Sequence, residues 1–406
     1  MIAESRKFGS LPATCRSDGS AAAVELIEWL AGDECHELGD AGLATEFGRR
    51  LRAAGLLVDR LTLHLRTLHP EIFGRSIAWA PDEAVEVRDR EHGIEISPGF
   101  AGSPLRHVME TRKPLVMRLD GSHDPAWFHT DLFHGRGLVE FVIVPLCNAD
   151  GLVSAASFST TRASGFALSE RTALDRIVPA LRNACELRTL RRVESTLLDT
   201  YVGATTARRV MAGRVRRGEV ETLEAGLMLC DLRGFTEMSN RLPGERVLEL
   251  LNIYFDRVLP AITAAGGEVI KFMGDAALAF FHCDSPSASC SAALRGALSA
   301  LDGLGRFTAS DAELHAGIAL HYGEVSYGNI GSGQRLDFTV IGPDVNLVSR
   351  IQAICSATGR PLLMSERFAT LLDPGTAFAI GRHELRGFAE PVELHSFADS
   401  FAQSAR

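Results

Sequence analysis

Two aspartates, an asparagine and an arginine are placed in this chain as a phosphate-handling site would need them. Asp231 closes the apolar run 225–230, and Leu232, Arg233, Gly234, Phe235 and Thr236 follow it as a turn into a helical stretch. Such a turn offers backbone N–H groups to phosphate oxygens, with Gly234 permitting close approach and Thr236 capping the helix or binding phosphate. Asp275 lies in the turn of a tight hairpin over residues 267–281, near the end of the strand that delivers Asp231. Two carboxylates so placed can hold two divalent cations, Mg2+ or Mn2+, bridged by substrate oxygens. A lone Asp in a glycine-containing turn is by default structural, so the weight rests on the pair. Asn346 and Arg350, four residues apart in a helical segment, share one helix face.

The elements that must position these groups read as strands alternating with helices. After the strand at 225–230 comes a helical region ending near Ala264, with Leu250, Leu251, Tyr254 and Val258 on its buried side. The hairpin at 267–281 follows, then an Ala/Leu-rich helix over 287–304 and an apolar strand over 314–320. Residues 321–331 carry three glycines. Beyond the Asn346/Arg350 helix the pattern predicts a strand at 362–364, a helix at 365–372 and strands at 377–380 and 392–397.

Three stretches carry a family resemblance: Leu229-Cys230-Asp231-Leu232-Arg233-Gly234-Phe235-Thr236, Lys271-Phe272-Met273-Gly274-Asp275, and the run from Phe338 through Gly342-Pro343-Asp344 to Arg350. In order and context they resemble the class III nucleotide cyclases, over about the last half of the chain. The resemblance implies a ferredoxin-like core, antiparallel strands carrying helices on one face, a glycine-bearing hairpin over residues 321–331, and synthesis of cyclic AMP or cyclic GMP with release of pyrophosphate. It implies Asp231 and Asp275 as metal ligands, Asn346 orienting the ribose, and Arg350 binding the triphosphate and stabilising charge at the α-phosphate. Lys271 is implied in base recognition: an ammonium donates to adenine N1 but faces a protonated N1 in guanine. Guanine-selective relatives carry Glu there, so ATP is the expected substrate. Thr339 stands where many eukaryotic adenylate cyclases carry Asp, a departure shared with bacterial ones, and its hydroxyl can both accept and donate. Arg386, in His383-Glu384-Leu385-Arg386-Gly387-Phe388, stands where relatives use Lys for a triphosphate contact, keeping the charge with altered geometry. Family members assemble two catalytic domains head to tail, so one chain with one full set of residues implies a homodimer with two composite sites. Guanylate cyclase and a catalytically lapsed nucleotide-binding scaffold are the competing readings.

The first half reads differently. Residues 1–20 mix Gly, Ser, Pro and charges as a flexible start; helices are expected from Ala21 and over 42–66. Short apolar runs follow, then a helix at 103–110, a strand at 114–117, and two strands, 141–146 and 152–159, joined by an Asp-Gly turn. With the helix beginning near Ser169, the segment 21–185 resembles a GAF domain, which implies a sensory α+β unit. His107, His123, Trp127, Phe128, His129 and His134 are candidates for lining a small-molecule pocket. Leu174, Ile177, Leu181, Ala184, Leu187, Leu190, Val193 and Leu197 recur at helical steps and suggest a helix pairing with its twin despite Pro179. Residues 186–222 then form a helical connector with Arg208, Arg209, Arg214, Arg216 and Arg217; residues 223–399 the catalytic domain; residues 400–406 a tail.

Composition bounds the rest. At 406 residues, 46% hydrophobic and 23% charged, the chain should form two folded domains. A net charge of -9 argues against broad nucleic-acid binding. No run approaches the roughly 20 apolar residues of a membrane span. Eight cysteines without a metal-binding spacing suggest reduced thiols and a cytoplasmic setting.

Overall fold

A computed structural model describes residues 18–119, 136–149, 151–305, 308–309 and 312–397. His123, Trp127, Phe128, His129 and His134 lie outside the described residues. The chain divides into two compact units, Met1–Leu197 and Leu198–Arg406.

In the first unit, helices α1 (Asp18–Ala31), α2 (Asp33–Glu37) and α3 (Asp40–Ala53) precede strands β1 (Arg60–Arg66), β2 (Ile72–Trp79) and β3 (Glu86–Glu91). Short helices α4 (Pro98–Ala101) and α5 (Pro104–Thr111), strands β4 (Leu115–Arg118), β5 (Glu140–Cys147) and β6 (Val153–Thr160), and helix α6 (Leu168–Val202) follow. The sheet is antiparallel in the order β3-β2-β1-β6-β5-β4. The helix expected over 42–66 is instead α3 plus β1. Gly55, at φ +80, sits just past the helix end, and the buried Leu61, Leu63 and Leu65 alternate with polar residues at the strand period. The first helix also starts earlier than expected, at Asp18.

Helix α6 runs through Pro179. Its expected dimer stripe is mostly spent within the unit: Leu174, Ile177, Leu181 and Ala184 belong to the same buried cluster as Phe47, Leu61 and Phe158, while Leu187 and Leu190 are exposed. Arg188, buried on this helix, donates to the carbonyls of Ala184 and Leu38 at 2.8 and 3.0 Å, satisfying its charge without a carboxylate.

The second unit begins with helix α7 (Ala204–Met211) and builds a sheet of order β15-β16-β14-β12-β7-β9-β8, with β13 paired to β12. Its strands are β7 (Val220–Leu232), β8 (Glu268–Met273), β9 (Ala276–Phe281), a two-residue pair β10 and β11 (Thr308–Ala309, Ala312–Glu313), β12 (Ala316–Ser332), β13 (Arg335–Ile341), β14 (Leu362–Ser365), β15 (Ala377–His383) and β16 (Val392–Phe397). Helices α8 (Phe235–Arg241), α9 (Gly244–Ala264), α10 (Pro286–Gly305), α11 (Pro343–Thr358) and α12 (Glu366–Ala369) cover it. Two findings differ from expectation. Residues 321–331 are not a hairpin but part of the single long strand β12, paired with β7 from Ala316↔Leu232 to Gly328↔Val220. Gly317 and Gly323 serve there as points of close approach by side chains, not as turns. Helices also lie on both faces of the sheet: α9 and α10 pack on Met228, Cys230 and Leu232, while α11 packs on Leu227 and Leu229.

Among the described residues no helix is long and apolar enough to cross a membrane, and the seven described cysteines are unpaired.

Candidate functional site

Alternation along β7 sends Met228, Cys230 and Leu232 into the α9/α10 core and leaves Asp231 on the α11 face with Leu227 and Leu229. Register then sets its neighbour. Asp231 pairs with Ala276, the first residue after the two-residue β8–β9 loop Gly274-Asp275. Gly274 takes a left-handed φ of +68, which a tight hairpin loop requires and a side chain would resist. Asp275 is thereby held within hydrogen-bonding reach of Asp231. Burial and the neighbouring Asp275 push the Asp231 carboxyl up to about 6; the nearby buried Gln352 amide of α11, whose Nε2 and Oε1 make no hydrogen bond among the described residues, pulls it back.

Two converging carboxylates that repel one another suit a divalent cation. Among the described residues no group of three or more His, Cys, Asp or Glu side chains converges; a cation held here would have these two carboxylates and would draw its other ligands from water or phosphate oxygens. The repulsion has a measurable consequence. In the absence of cation the folded carboxyl titrates near 6 against 3.8 as its ordinary value, so folding favours the protonated form. Stability is then fully present below about pH 4 and falls as pH rises to about 6, by about 1 kcal/mol after discounting for partial exposure. Asp231→Asn is expected to raise the thermal midpoint in chelator at pH 7.5 and to change nothing at pH 4. Equal shifts at both pH values would remove the repulsion as the cause.

The turn after Asp231 is less open than its sequence suggests. Arg233 N–H donates to the His315 carbonyl at 2.8 Å, and its guanidinium crosses the space left by Gly317 to donate to the carbonyls of Cys355 and Arg360 at 2.8 and 2.6 Å. Arg233 therefore ties β7 to the end of α11. The N–H groups of Phe235 and Thr236 lie in the first turn of α8, which has no intrahelical acceptors for them, and Gly234 precedes it at φ +71. Leu232 is buried in the core.

A second group of residues forms on β8 and β13. Lys271 Nζ lies 3.6 Å from Asp337 Oδ2, and Thr339, two residues along from Asp337, is buried with its Oγ1 lacking a hydrogen-bond partner among the described residues. A buried hydroxyl without a partner costs stability, which a polar ligand atom would restore.

Helix α11 presents the third group. Val348, Ile351, Gln352 and Cys355 are buried against the sheet, whereas Asn346 and Arg350 are exposed and make no side-chain hydrogen bond or ion pair among the described residues. The helix start is pinned by Asp344, whose carboxylate accepts from Glu324 N–H at 2.7 Å and lies 3.1 Å from His321 Nε2. His321 Nδ1 is 2.7 Å from Ser365 Oγ, and the His321 ring beside Asp344 is the main cause that holds that carboxyl below its ordinary range. Gly323 leaves room for the carboxylate; a Cβ there would fall on it. Gly323→Ala should therefore misplace the start of α11 and cut turnover about a hundredfold, the cost of about 1 Å of misplacement. Adding Asp344→Ala should recover part of the loss, and a double variant no better than Gly323→Ala would exclude this contact. Arg386 stands exposed in the turn after β15, before Gly387 at φ +92.

Asp337, His321, Gly323 and Asp344 were not assigned from sequence. Asp337 meets Lys271, and His321, Gly323 and Asp344 meet one another, only through contacts between elements distant in sequence.

Residues 219–395 match the family described as the adenylate and guanylate cyclase catalytic domain. The chain is 31% identical over 172 residues to an adenylate cyclase of Anabaena cylindrica, covering 40% of this chain and 34% of that one. It is 32% identical over 205 residues to an uncharacterized protein of Mycobacterium tuberculosis, covering 49% and 37%. Among solved structures it is similar to the adenylyl cyclase CyaB from P. aeruginosa, with 26% identity, a TM-score of 0.40, and coverage of 45% and 96%. The chain thus spans about a third of the length of these two sequence relatives.

Proposed function

We propose, because residues 219–395 match the adenylate and guanylate cyclase catalytic domain, that this chain is a lyase that converts ATP to 3',5'-cyclic AMP and pyrophosphate at sites shared between two copies of itself. The observation that carries the shared site is the orientation of α11. Its Gln352 is buried near Asp231, while Asn346 and Arg350 are exposed to solvent. Phe272, Met273, Leu336 and Ile341 on β8 and β13 are exposed apolar side chains that a second copy would cover.

Asp231 and Asp275 would hold divalent metal, which when bound lowers the pKa of the ribose 3'-hydroxyl and neutralises the triphosphate. Asn346 orients the ribose. Arg350, with Arg386 beside the triphosphate, donates to phosphate oxygens as the 3'-oxygen bonds to the α-phosphorus and the bond to pyrophosphate breaks. The hydroxyl proton passes to water or to substrate phosphate. Lys271 donates to adenine N1, and the partnerless Thr339 hydroxyl accepts from the adenine amino group. Asp337 keeps the Lys271 ammonium in place. The N-terminal unit acts as a GAF-like regulatory module, and the segment between about 186 and 222 as its connector.

Product identification after incubating the full chain with ATP or GTP and each of Mg2+ and Mn2+ tests the reading: cyclic AMP from ATP is expected, and turnover of GTP alone would overturn the base assignment. Lys271→Glu should lower kcat/KM for ATP about tenfold or more, the loss of one charged hydrogen bond, and shift preference toward GTP. Asp337→Asn should raise KM for ATP and leave kcat near its original value, since the residue positions Lys271 and touches no reacting atom.

A further inference from the structure

The first unit contains a cavity of about 620 Å3, within the size range of small-molecule sites. It opens on the face of the six-stranded sheet turned away from α1, α3 and α6. On the central strand β1 the odd residues Leu61, Leu63 and Leu65 enter the helical core, while the even residues Arg60, Thr62, His64 and Arg66 line the cavity. Helices α4 and α5 contribute Phe100 and Ser103 to the opposite wall. Two half-buried arginines on a central strand, under a cover of other elements, are a poor choice for stability alone, because a charge withdrawn from water is costly unless it is paired.

Pairing is incomplete here. Of the six arginines in the wall, Arg75 is bound to Asp89 at 2.6 Å, Arg88 to Glu86 and Arg136 to Glu83 at 2.8 Å. Arg60, Arg66 and Arg90 make no ion pair among the described residues, although the charges of Glu83 and Glu86 reach Arg60 and that of Glu95 reaches Arg66, and Glu86 is the single acidic residue of the lining. Arg66 lies 3.3 Å over the Phe73 ring and leaves Nη1 buried without an acceptor. Burial draws the pKa of Arg60 and Arg66 downward, the mark of desolvated charge, and takes His64 down to about 4, so that imidazole is neutral at pH 7 and available as a hydrogen-bonding group. Phe73 and Phe100 meet edge to face at 5.5 Å and form an apolar wall beside the guanidinium groups.

We propose that this cavity binds a small aromatic anion, a ring bearing a phosphate or a carboxylate, whose acidic group pairs with Arg60 and Arg66 and whose ring lies along Phe73 and Phe100. Guanidinium forks match either acid in bidentate fashion, and the net positive lining excludes cations and favours anions over neutral rings. The proposal rests on the first unit alone and stands or falls apart from the cyclase reading.

Isothermal titration calorimetry on the full chain tests it, with phenyl phosphate and benzoate as probes and inorganic phosphate and benzyl alcohol as controls. One of the two aromatic acids is expected to bind once per chain, at least about tenfold more tightly than either control, which is about 1.4 kcal/mol; the better probe tells phosphate from carboxylate. Arg60→Met and Arg66→Met should each weaken that probe about tenfold or more, while Arg350→Ala, in the other unit, should leave it unchanged. Removing an unpaired, half-buried charge should also hold or raise the thermal midpoint without ligand, as expected of a binding residue maintained at a cost to stability. If Arg66→Met does not fold, Arg60→Met carries the same comparison. Failure of both acids to bind, or binding unaltered in the Met variants, overturns the proposal, as would a fall in the thermal midpoint of both.

Discussion

Replacing either Asp231 or Asp275 with Ala is expected to lower cyclic-nucleotide formation about a thousandfold or more, while the far-ultraviolet circular dichroism stays that of the parent. The magnitude follows from what the pair would supply. Loss of metal-assisted stabilisation of the attacking oxygen and the departing pyrophosphate is worth several kcal/mol, and about 4 kcal/mol corresponds to a thousandfold in rate. The direction of the stability change separates this reading from a structural one. A carboxylate that merely held β7 against the β8–β9 loop would lower stability when removed. Here the two carboxylates repel, with Asp231 raised to about 6, so a metal-free variant should unfold at the same temperature as the parent or higher. Full activity in folded Asp275→Ala protein would overturn the assignment, and a large drop in thermal midpoint in chelator would move both residues to a structural role.

Much of this site was legible in the chain because its parts are local. The run into Asp231, the Gly274-Asp275 loop and the Asn346/Arg350 spacing each declare their geometry within a few residues, and the structure places each on the element expected of it. What escaped reading was set by pairing at a distance. His321 and Asp344 are 23 positions apart and meet because β12 and the start of α11 are brought together by the β12–β13 hairpin. Arg233 looked free for phosphate, and only the close approach of β12 at Gly317 reveals that its guanidinium is committed to carbonyls of Cys355 and Arg360. The glycines of 321–331 were read as turn formers, although the same residue type serves equally where a neighbour passes too near for a Cβ. In the first unit, the apolar content of 42–66 suited both helix and strand, and Gly55 between them was the neglected signal. The charged face of β1 had no local meaning either: Arg60, His64 and Arg66 on alternate positions look like a solvent-facing edge until the sheet order makes their strand central.

Mixing Asp231→Ala and Arg350→Ala chains, each inactive alone, is expected to restore activity to about a quarter of the parent value. The number comes from symmetry. In an isologous dimer each site takes its aspartates from one chain and its arginine from the other. A heterodimer of the two variants therefore concentrates both defects in one site and leaves the other intact. Random re-pairing of equal amounts makes about half of the dimers mixed, and each mixed dimer holds one good site of two, hence about one quarter. The orientation of α11 supports this proposed arrangement: turning Arg350 to meet Asp231 in its own chain would bring Val348, Ile351 and Cys355 out of the core. Exposing three such side chains would cost about 4 to 9 kcal/mol, most of what holds a domain folded. A chain that satisfied both requirements by itself would have to repack that core, so activity in a mixture should appear only as subunits exchange, rising with incubation time and reaching its plateau at the statistical limit. Mixtures that remain inactive after exchange is demonstrated by differential labelling would place the arginine and the aspartates in the same chain and would make the exposed Asn346/Arg350 face of α11 a surface with some other use.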